Sequence, residues 1–421
     1  MDALFDSLWR VWKVYMNYLL VENEHLKRIF FHIFLGTVLT HRKNYYLQSS
    51  KPHSTRFHAF IIQDSGTGKG IVMRATKVIL DKAQIPCRHT SKDNDSASIG
   101  TVYQDKKTGD FKIKYGHLAK QYLYMWDEGS ILLRGGQYNE DTVDHFQRAM
   151  DEPGEFYKAL AMKDIEGFTN STLVAASYMF ENFKKTLLER GFLQRMFISY
   201  KEFNPTELRN IIIGVNNLKK LTNRVYLESL EAAIIKQIPK FPLEKQIKFN
   251  PTAVDEFQPV MQEIHSKYIE YQFDEKRQRI LQTFFNRIHL LIDKLAVQRA
   301  LVNGRNEVQF EDMMYGHDMV CTQKYILNPH ISSLHEIFSE MASRSINIKA
   351  SRIELVLQII RGQGHVNKKQ LLDELRKRKD RGLWDLGSNK SRELIEDLIK
   401  VKKKVKEIQG TKSEKILTTD E

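Results

Sequence analysis

The chain has 421 residues, with 65 Lys and Arg against 52 Asp and Glu and a formal net charge of +13, which is long enough for a sizeable core and two or three domains. Its two cysteines, Cys87 and Cys321, exclude a disulfide framework and a cysteine-built zinc site and fit a reducing compartment. The basic excess is not kept in one tail, which points to a polyanionic partner.

Residues 1–55 read as two amphipathic helices, the first with Leu4, Leu8, Val11, Tyr15 and Leu19 on one face. They are expected to pack on the core or on a neighbouring subunit. Asp2, Asp6, Arg10 and Lys13 interrupt any leader-like pattern, and the apolar run Ile29 to Leu39 is too short to span a bilayer. A soluble, cytoplasmic protein with no membrane partner is the expectation.

From 56 to 204, apolar strands alternate with helices, which predicts an α/β domain with a nucleotide at its strand ends. The strand Phe57 to Ile62 runs into Asp64-Ser65-Gly66-Thr67-Gly68-Lys69-Gly70, and a helix follows with Ile71, Val72, Ala75, Val78 and Ile79 at helical spacing. Glycines let consecutive N–H groups point at one anion; the helix N-terminus adds partial positive charge and Lys69 a full one. This is a phosphate-binding loop with two departures from the full P-loop pattern. Gln63 stands where the first Gly belongs, and Gly70 replaces the hydroxyl residue that ligates Mg²⁺. Water, Ser65 or Thr67 is left to complete the metal shell.

Residues 98–118 read as a β-hairpin carrying Lys106, Lys107, Lys112 and Lys114 at its tip and on its return strand. The apolar run Leu123 to Trp126 then ends in Asp127 and Glu128. In a P-loop ATPase, such an Asp holds Mg²⁺ or its waters and the next Glu polarises the attacking water. After Pro205 the pattern turns helical, and 205–330 is expected to form a helical lid, with a long helix over 277–302 and another region over 307–319. Residues 330–350 are expected to hold another helix and a connection, with 331–350 as the linker to a tail, 351–421. The tail reads as helices over 351–361, 367–379 and 389–403 and a hairpin over 405–417 around Gly410-Thr411, which is a winged helix. Lys390, Arg392, Lys400, Lys402, Lys403, Lys404 and Lys406 fall on or just after its third helix, suited to nucleic acid or to a protein-docking wing.

The hairpin segment resembles the helix-2 insert of MCM-type AAA+ helicases: Asp105, Thr108, Gly109, Phe111, Gly116, Leu118 and Asp127-Glu128 match that pattern in order. Ala149-Met150-Asp151-Glu152 is similar to the segment before the family's second, pre-sensor hairpin, whose DNA-contacting lysine the resemblance assigns to Lys158 or Lys163. Thr172 to Ser177 resembles the sensor 1 strand, with Ser177 where the family has Asn; a Ser hydroxyl can still hold a water or a phosphate oxygen. Gly191 to Phe197 resembles the arginine-finger element, with Arg195 as the finger, and Asn286 to Ile292 resembles the sensor 2 helix, with Arg287 as its charged contact.

The likeness covers roughly residues 57–320, and the family also carries a C-terminal winged helix. The family's N-terminal OB-fold, usually with a zinc module, has no room in the first 55 residues. The chain therefore resembles reduced MCM-like and primase-associated ATPases of mobile elements and phages, which would place it in a host cytoplasm.

The resemblance implies an ATP- and Mg²⁺-dependent DNA helicase or translocase in replication. It would act as a homo-oligomeric ring, by analogy a hexamer, with single-stranded DNA in the channel and primase or other replication proteins as possible partners. Lys69 and the loop from Asp64 to Gly70 would hold phosphates, Asp127 the metal, and Glu128 the water, with Ser177 and Arg287 on the nucleotide and Arg195 arriving from the neighbour. The alternatives are an AAA+ initiator or helicase loader that uses ATP as an assembly switch, and a scaffold that does not hydrolyse.

Overall fold

The computed structural model describes residues 4–19, 21, 23–64, 66–90, 95–129, 140–160, 163–178, 191–217, 223–270, 275–363, 366–380, 388–400, 405–409 and 415–419. The chain divides into two compact units, Met1–Glu336 and Ile337–Glu421.

The first unit opens with helices α1 (Leu4–Tyr18) and α2 (Glu24–His41). α1 is amphipathic as expected, but the face it buries is Phe5, Leu8, Trp12, Tyr15 and Met16; of the residues expected there Leu8 and Tyr15 are buried, while Leu4, Val11 and Leu19 are half-buried. α2 differs from the expectation of an amphipathic helix: every residue from His25 to Thr40 except Arg28 is buried. A helix apolar on all sides belongs inside a core, and His32 within it is paired through both ring nitrogens. His32 meets Gln298 Oε1 at 2.8 Å through Nδ1 and the Tyr315 hydroxyl at 2.7 Å through Nε2.

Strands β1 (Tyr45–Gln48) and β2 (Lys51–Ser54) form a hairpin. Next come β3 (Ala59–Gln63), α3 (Lys69–Lys82), β4 (Cys87–Thr90), the single turn α4 (Asp95–Ser98), β5 (Gly100–Gln104), β6 (Phe111–Tyr115), the turn α5 (His117–Lys120) and β7 (Leu123–Trp126). They are followed by α6 (Glu140–Ala149), β8 (Gly154–Lys158), β9 (Ile165–Thr169), β10 (Thr172–Ser177) and β11 (Phe197–Lys201). The main sheet has the order β11-β3-β10-β7-β4, and every neighbouring pair in it is parallel. Parallel strands buried on both faces read as continuous apolar runs, and β3, β7 and β10 are buried at every position. The register sets Ser177 beside Ile62 and aligns Ala175, Trp126 and Thr90, so the carboxyl ends of β3, β10, β7 and β4 share one edge.

Helices α7 (Pro205–Asn217) and α8 (Arg224–Ile235) precede β12 (Gln246–Phe249). α9 (Pro251–Glu270), α10 (Glu275–Phe285), α11 (Ile288–Val302), β13 (Glu307–Val308) and α12 (Phe310–Cys321) complete the unit up to a long helix, α13 (His330–Gln363). The predicted 277–302 helix is two helices, α10 and α11. A second sheet, β13-β12-β1-β2, joins the N-terminal hairpin to strands more than two hundred positions later. The first 55 residues are thus woven into the unit and do not stand apart from it. The helix expected within 330–350 is present, but it runs on through the expected linker as part of α13.

The second unit holds the rest of α13, β14 (Val366–Asn367), α14 (Lys368–Asp380), α15 (Ser388–Lys400), β15 (Val405–Gln409) and β16 (Lys415–Thr419), with an antiparallel sheet β14-β16-β15. Val356, Ile360, Leu371, Leu375, Ile395 and Leu398 form its core. The helices and hairpin fall in the predicted order. Lys390 and Arg392 lie exposed on α15. Lys402, Lys403, Lys404 and the turn at Gly410-Thr411 lie outside the described residues. Among the described residues, no helix is long and apolar enough to cross a membrane.

Candidate nucleotide site

The loop after β3 turns through Gly66 (φ 79°) and Gly68 (φ 88°), a backbone that L side chains rarely adopt, and Gly68 is the N-cap of α3. A cavity of about 370 Å³ opens above it, lined by the loop from Gly66 to Gly70, Arg74, Asp127, Glu128, Ser177 and Tyr178. Four residues spread over more than a hundred positions, Lys69, Asp127, Glu128 and Ser177, therefore meet around one space at the carboxyl edge of the sheet.

Lys69 Nζ folds back to donate to the carbonyl oxygens of Gln63 at 2.6 Å and Asp64 at 2.7 Å. Burial pushes its ammonium down to about 8, with Asp64 and Asp127 partly offsetting that. Asp127 is held below the usual carboxylate range, first by His89 and then by Arg74 and Lys69, against the opposing effect of burial. His89 Nε2 lies 2.9 Å from Asp127 Oδ1. The distance is that of an ion pair, although the ring nitrogen makes no aligned hydrogen bond. Glu128 is exposed at the cavity rim. Ser177 donates its hydroxyl to the Tyr178 carbonyl at 3.0 Å.

Of the hydroxyls left open for the metal, Thr67 is turned inward. It is 1% exposed, and its Oγ1 donates to the Asp64 carbonyl at 2.8 Å and lies 3.3 Å from Gln63 Oε1. Gln63, which replaces the first glycine of the loop pattern, is fully buried and braces this turn together with Asn23. Ser65 lies outside the described residues. A Cβ built on Gly70 would stand 3.8 Å from Asp127 Oδ1 and 3.3 Å from Arg74 Nη1, so position 70 faces the carboxylate. Among the described residues, no three His, Cys, Asp or Glu side chains cluster to hold a metal unaided. Asp127 and Glu128 beside the glycine loop fit a metal that would arrive with a nucleotide.

Arg195 and Arg287 are elsewhere. They line a second cavity of about 300 Å³ with Asp151, Glu152, Gln194 and Lys294. Arg195 donates to Asp151 at 2.6 and 3.2 Å and to the Gly191 carbonyl at 2.7 Å. Arg287, expected at the nucleotide of its own chain, does not line the loop cavity. Its pKa is lowered by burial and by Arg195, with Asp151 acting in the opposite sense.

Both hairpins form. In the first, Asp105 Oδ1 accepts from the Lys107 amide at 2.9 Å, and Gly109 closes the turn at φ 74°. This accounts physically for the D-x-x-T-G pattern. Lys106 and Lys107 are exposed at the tip. Cross-strand register puts Tyr103 with Lys112 and Thr101 with Lys114 on one face, and Val102, Ile113, Phe111 and Tyr115 on the other. Lys112 also pairs with Asp105.

In the second hairpin, Lys158 ends β8 on the face of buried Phe156 and Ile165. Lys163 precedes β9, with Nζ 3.4 Å from the Phe111 carbonyl of the first hairpin. The opposite face shows Glu155, Tyr157, Glu166 and Phe168, with Asp164 bonded to the Tyr157 hydroxyl at 2.6 Å. Lys158 is not on that face, which carries Glu155 and Glu166, while Lys163 is exposed just before β9.

Sequence reasoning missed His89, Arg74 and Asp151 as site residues. Arg74 lies one helical turn after Gly70, and that spacing is a signal the sequence does carry. His89 reaches Asp127 only because β4 pairs with β7. No protein-family model matches the chain, and no curated protein sequence matches it either.

Proposed function

We propose that this chain is an ATP-hydrolysing motor that assembles with copies of itself and moves along single-stranded DNA. The observation that carries the reading is the convergence of Lys69, Asp127, Glu128 and Ser177 on one cavity above a glycine loop and a helix N-terminus. Lys69, freed from two carbonyls, would hold the β- and γ-phosphates together with the loop amides. Asp127, kept ionised by its neighbours, would carry Mg²⁺, which neutralises charge on the phosphates. Glu128 would orient the water and Ser177 the γ-phosphate.

Arg195 and Arg287 form the complementary half. Asp151 offsets the two guanidinium groups only in part, since two positive charges face one carboxylate, and a phosphate would supply the further negative charge. Since neither lines the loop cavity of its own chain, we assign both to the phosphates of an adjoining subunit, where charge builds in the transition state. Lys106 and Lys107 at the first hairpin tip supply a sequence-independent grip on a nucleic-acid backbone. Lys390 and Arg392 suit a second contact, with the AAA+ and winged-helix assignments resting on resemblance. The loader reading is the second choice, favoured by the acidic exposed face of the second hairpin, which reduces the basic surface a motor would use.

Mixing tests the subunit-shared site. Glu128→Gln loses the water-orienting group and Arg195→Ala the finger, so each alone should show little ATP turnover. Equimolar mixing should restore a measurable fraction, because some sites then combine intact halves. Mixtures as inactive as the separate variants, from a wild type whose turnover rises with protein concentration, would refute the shared site. Strand displacement on a forked duplex separates the motor from the loader.

A further inference from the structure

The two hairpins are layered against each other within the unit. Tyr115 on the apolar face of the first packs edge-on against Phe156 of the second, with ring centroids 6.3 Å apart, and β5 lies beside β9. Residues on one face of an antiparallel ribbon are fixed by register, so the remaining face of each hairpin is directed away from the other. The first presents Tyr103, Lys112 and Lys114, all exposed. The second presents Glu155, Glu166, Tyr157 and Phe168, with Phe168 at 70% exposure. One outward face is basic and aromatic, and the other is acidic and aromatic.

We infer that these faces dock on each other between copies of the chain: Lys112 and Lys114 of one subunit against Glu155 and Glu166 of the next, with Tyr103 and Phe168 packing between them. Complementary patches on opposite sides of one molecule make a head-to-tail contact, the kind that propagates around a ring or along a filament. Asp105 already holds Lys112 within its own hairpin, so Lys112 would be shared while Lys114 carries the new pair. The inference rests on the proposed self-assembly and deepens it by dividing the lysines of the first hairpin. Lys106 and Lys107 at the tip remain for nucleic acid, and Lys112 and Lys114 on the flank fix the neighbour.

Charge reversal tests it in the full chain, with sedimentation velocity in the presence of Mg²⁺ and a non-hydrolysable ATP analogue as the readout. Lys112→Glu/Lys114→Glu and Glu155→Lys/Glu166→Lys should each weaken assembly about tenfold or more through like-charge contact. Equimolar mixing of the two should restore it, since every contact in an alternating array is again complementary. The quadruple variant should assemble alone. All four substitutions lie on exposed positions, and circular dichroism checks that each variant is folded. Swaps that assemble like wild type, or a mixture and quadruple variant that both stay dispersed while wild type assembles, overturn the contact alone. A wild-type chain that stays monomeric with nucleotide overturns the contact and the motor reading together.

Discussion

Nucleotide affinity should fall about tenfold between about pH 7 and about pH 9, through Lys69 alone. Burial holds this ammonium at about 8 against an ordinary 10.5, and among the described residues two carbonyls and two carboxylates compensate it in part. Roughly nine-tenths of the molecules carry the charge at about pH 7 and roughly one-tenth at about pH 9. A bound triphosphate keeps the lysine charged, so binding at the higher pH must take up a proton, a loss of about 1.4 kcal/mol. The sign for folding is opposite. A lysine whose folded value is depressed binds protons less readily than the unfolded chain, so the free protein gains stability as pH rises from about 8 towards 10.5. The Cys87 thiol, pushed up to about 12 by burial and then by Asp81, does not titrate in that window.

Titration with a fluorescent ATP analogue at fixed Mg²⁺ reads the affinity, and calorimetry in two buffers of different ionisation heat reads the proton. Affinity that stays flat to about pH 9 would refute the argument. So would an equal fall in Lys69→Met, because the titrating group would then be another.

Three further outcomes are expected. Gly70→Ser places its Cβ 3.3 Å from the flexible end of Arg74 and its hydroxyl on the Asp127 side; Mg²⁺-dependent nucleotide affinity should rise about tenfold, and a binding isotherm with and without Mg²⁺ would show no difference from wild type if position 70 does not face the metal. Glu152→Gln strips the carboxylate that sits 3.0 Å from Arg56 and 3.2 Å from Lys294, both buried. That leaves two buried cations without their shared carboxylate and should cost about 3–5 kcal/mol in urea denaturation, whereas a loss under about 1 kcal/mol would mean that the carbonyls around Arg56 and the charge of Asp151 suffice to hold them. His25, His32 and His330 are each lowered by burial from 6.5 to about 3. The unfolded chain therefore takes up protons first, and stability should drop by up to about 1.4 kcal/mol per histidine for each pH unit below about 6.5. An unchanged urea midpoint between about pH 7 and about pH 5 would contradict that.

What the sequence by itself determined is local. The glycine loop, the strand ending in Asp127-Glu128, the Thr172 to Ser177 strand and the turn at Thr108-Gly109 are legible, because backbone stereochemistry and side-chain alternation act over a few residues. The two basic tip lysines follow from the same turn.

The tertiary structure decided what those pieces meet. The parallel register sets β10 between β3 and β7, which brings Ser177 to the cavity and leaves His89 of β4 beside Asp127. Packing turned the Thr67 hydroxyl inward onto the loop, a direction that one residue's chemistry does not specify. Arg287 joined Arg195, and α2 became a buried helix, because the elements that surround them are more than two hundred positions away in places. The acidic face of the second hairpin emerged the same way, since composition counts Lys158 with Glu155 and Glu166 while pleat and register separate them. Long-range pairing fixes which side of a ribbon is exposed, and only the folded chain carries that information.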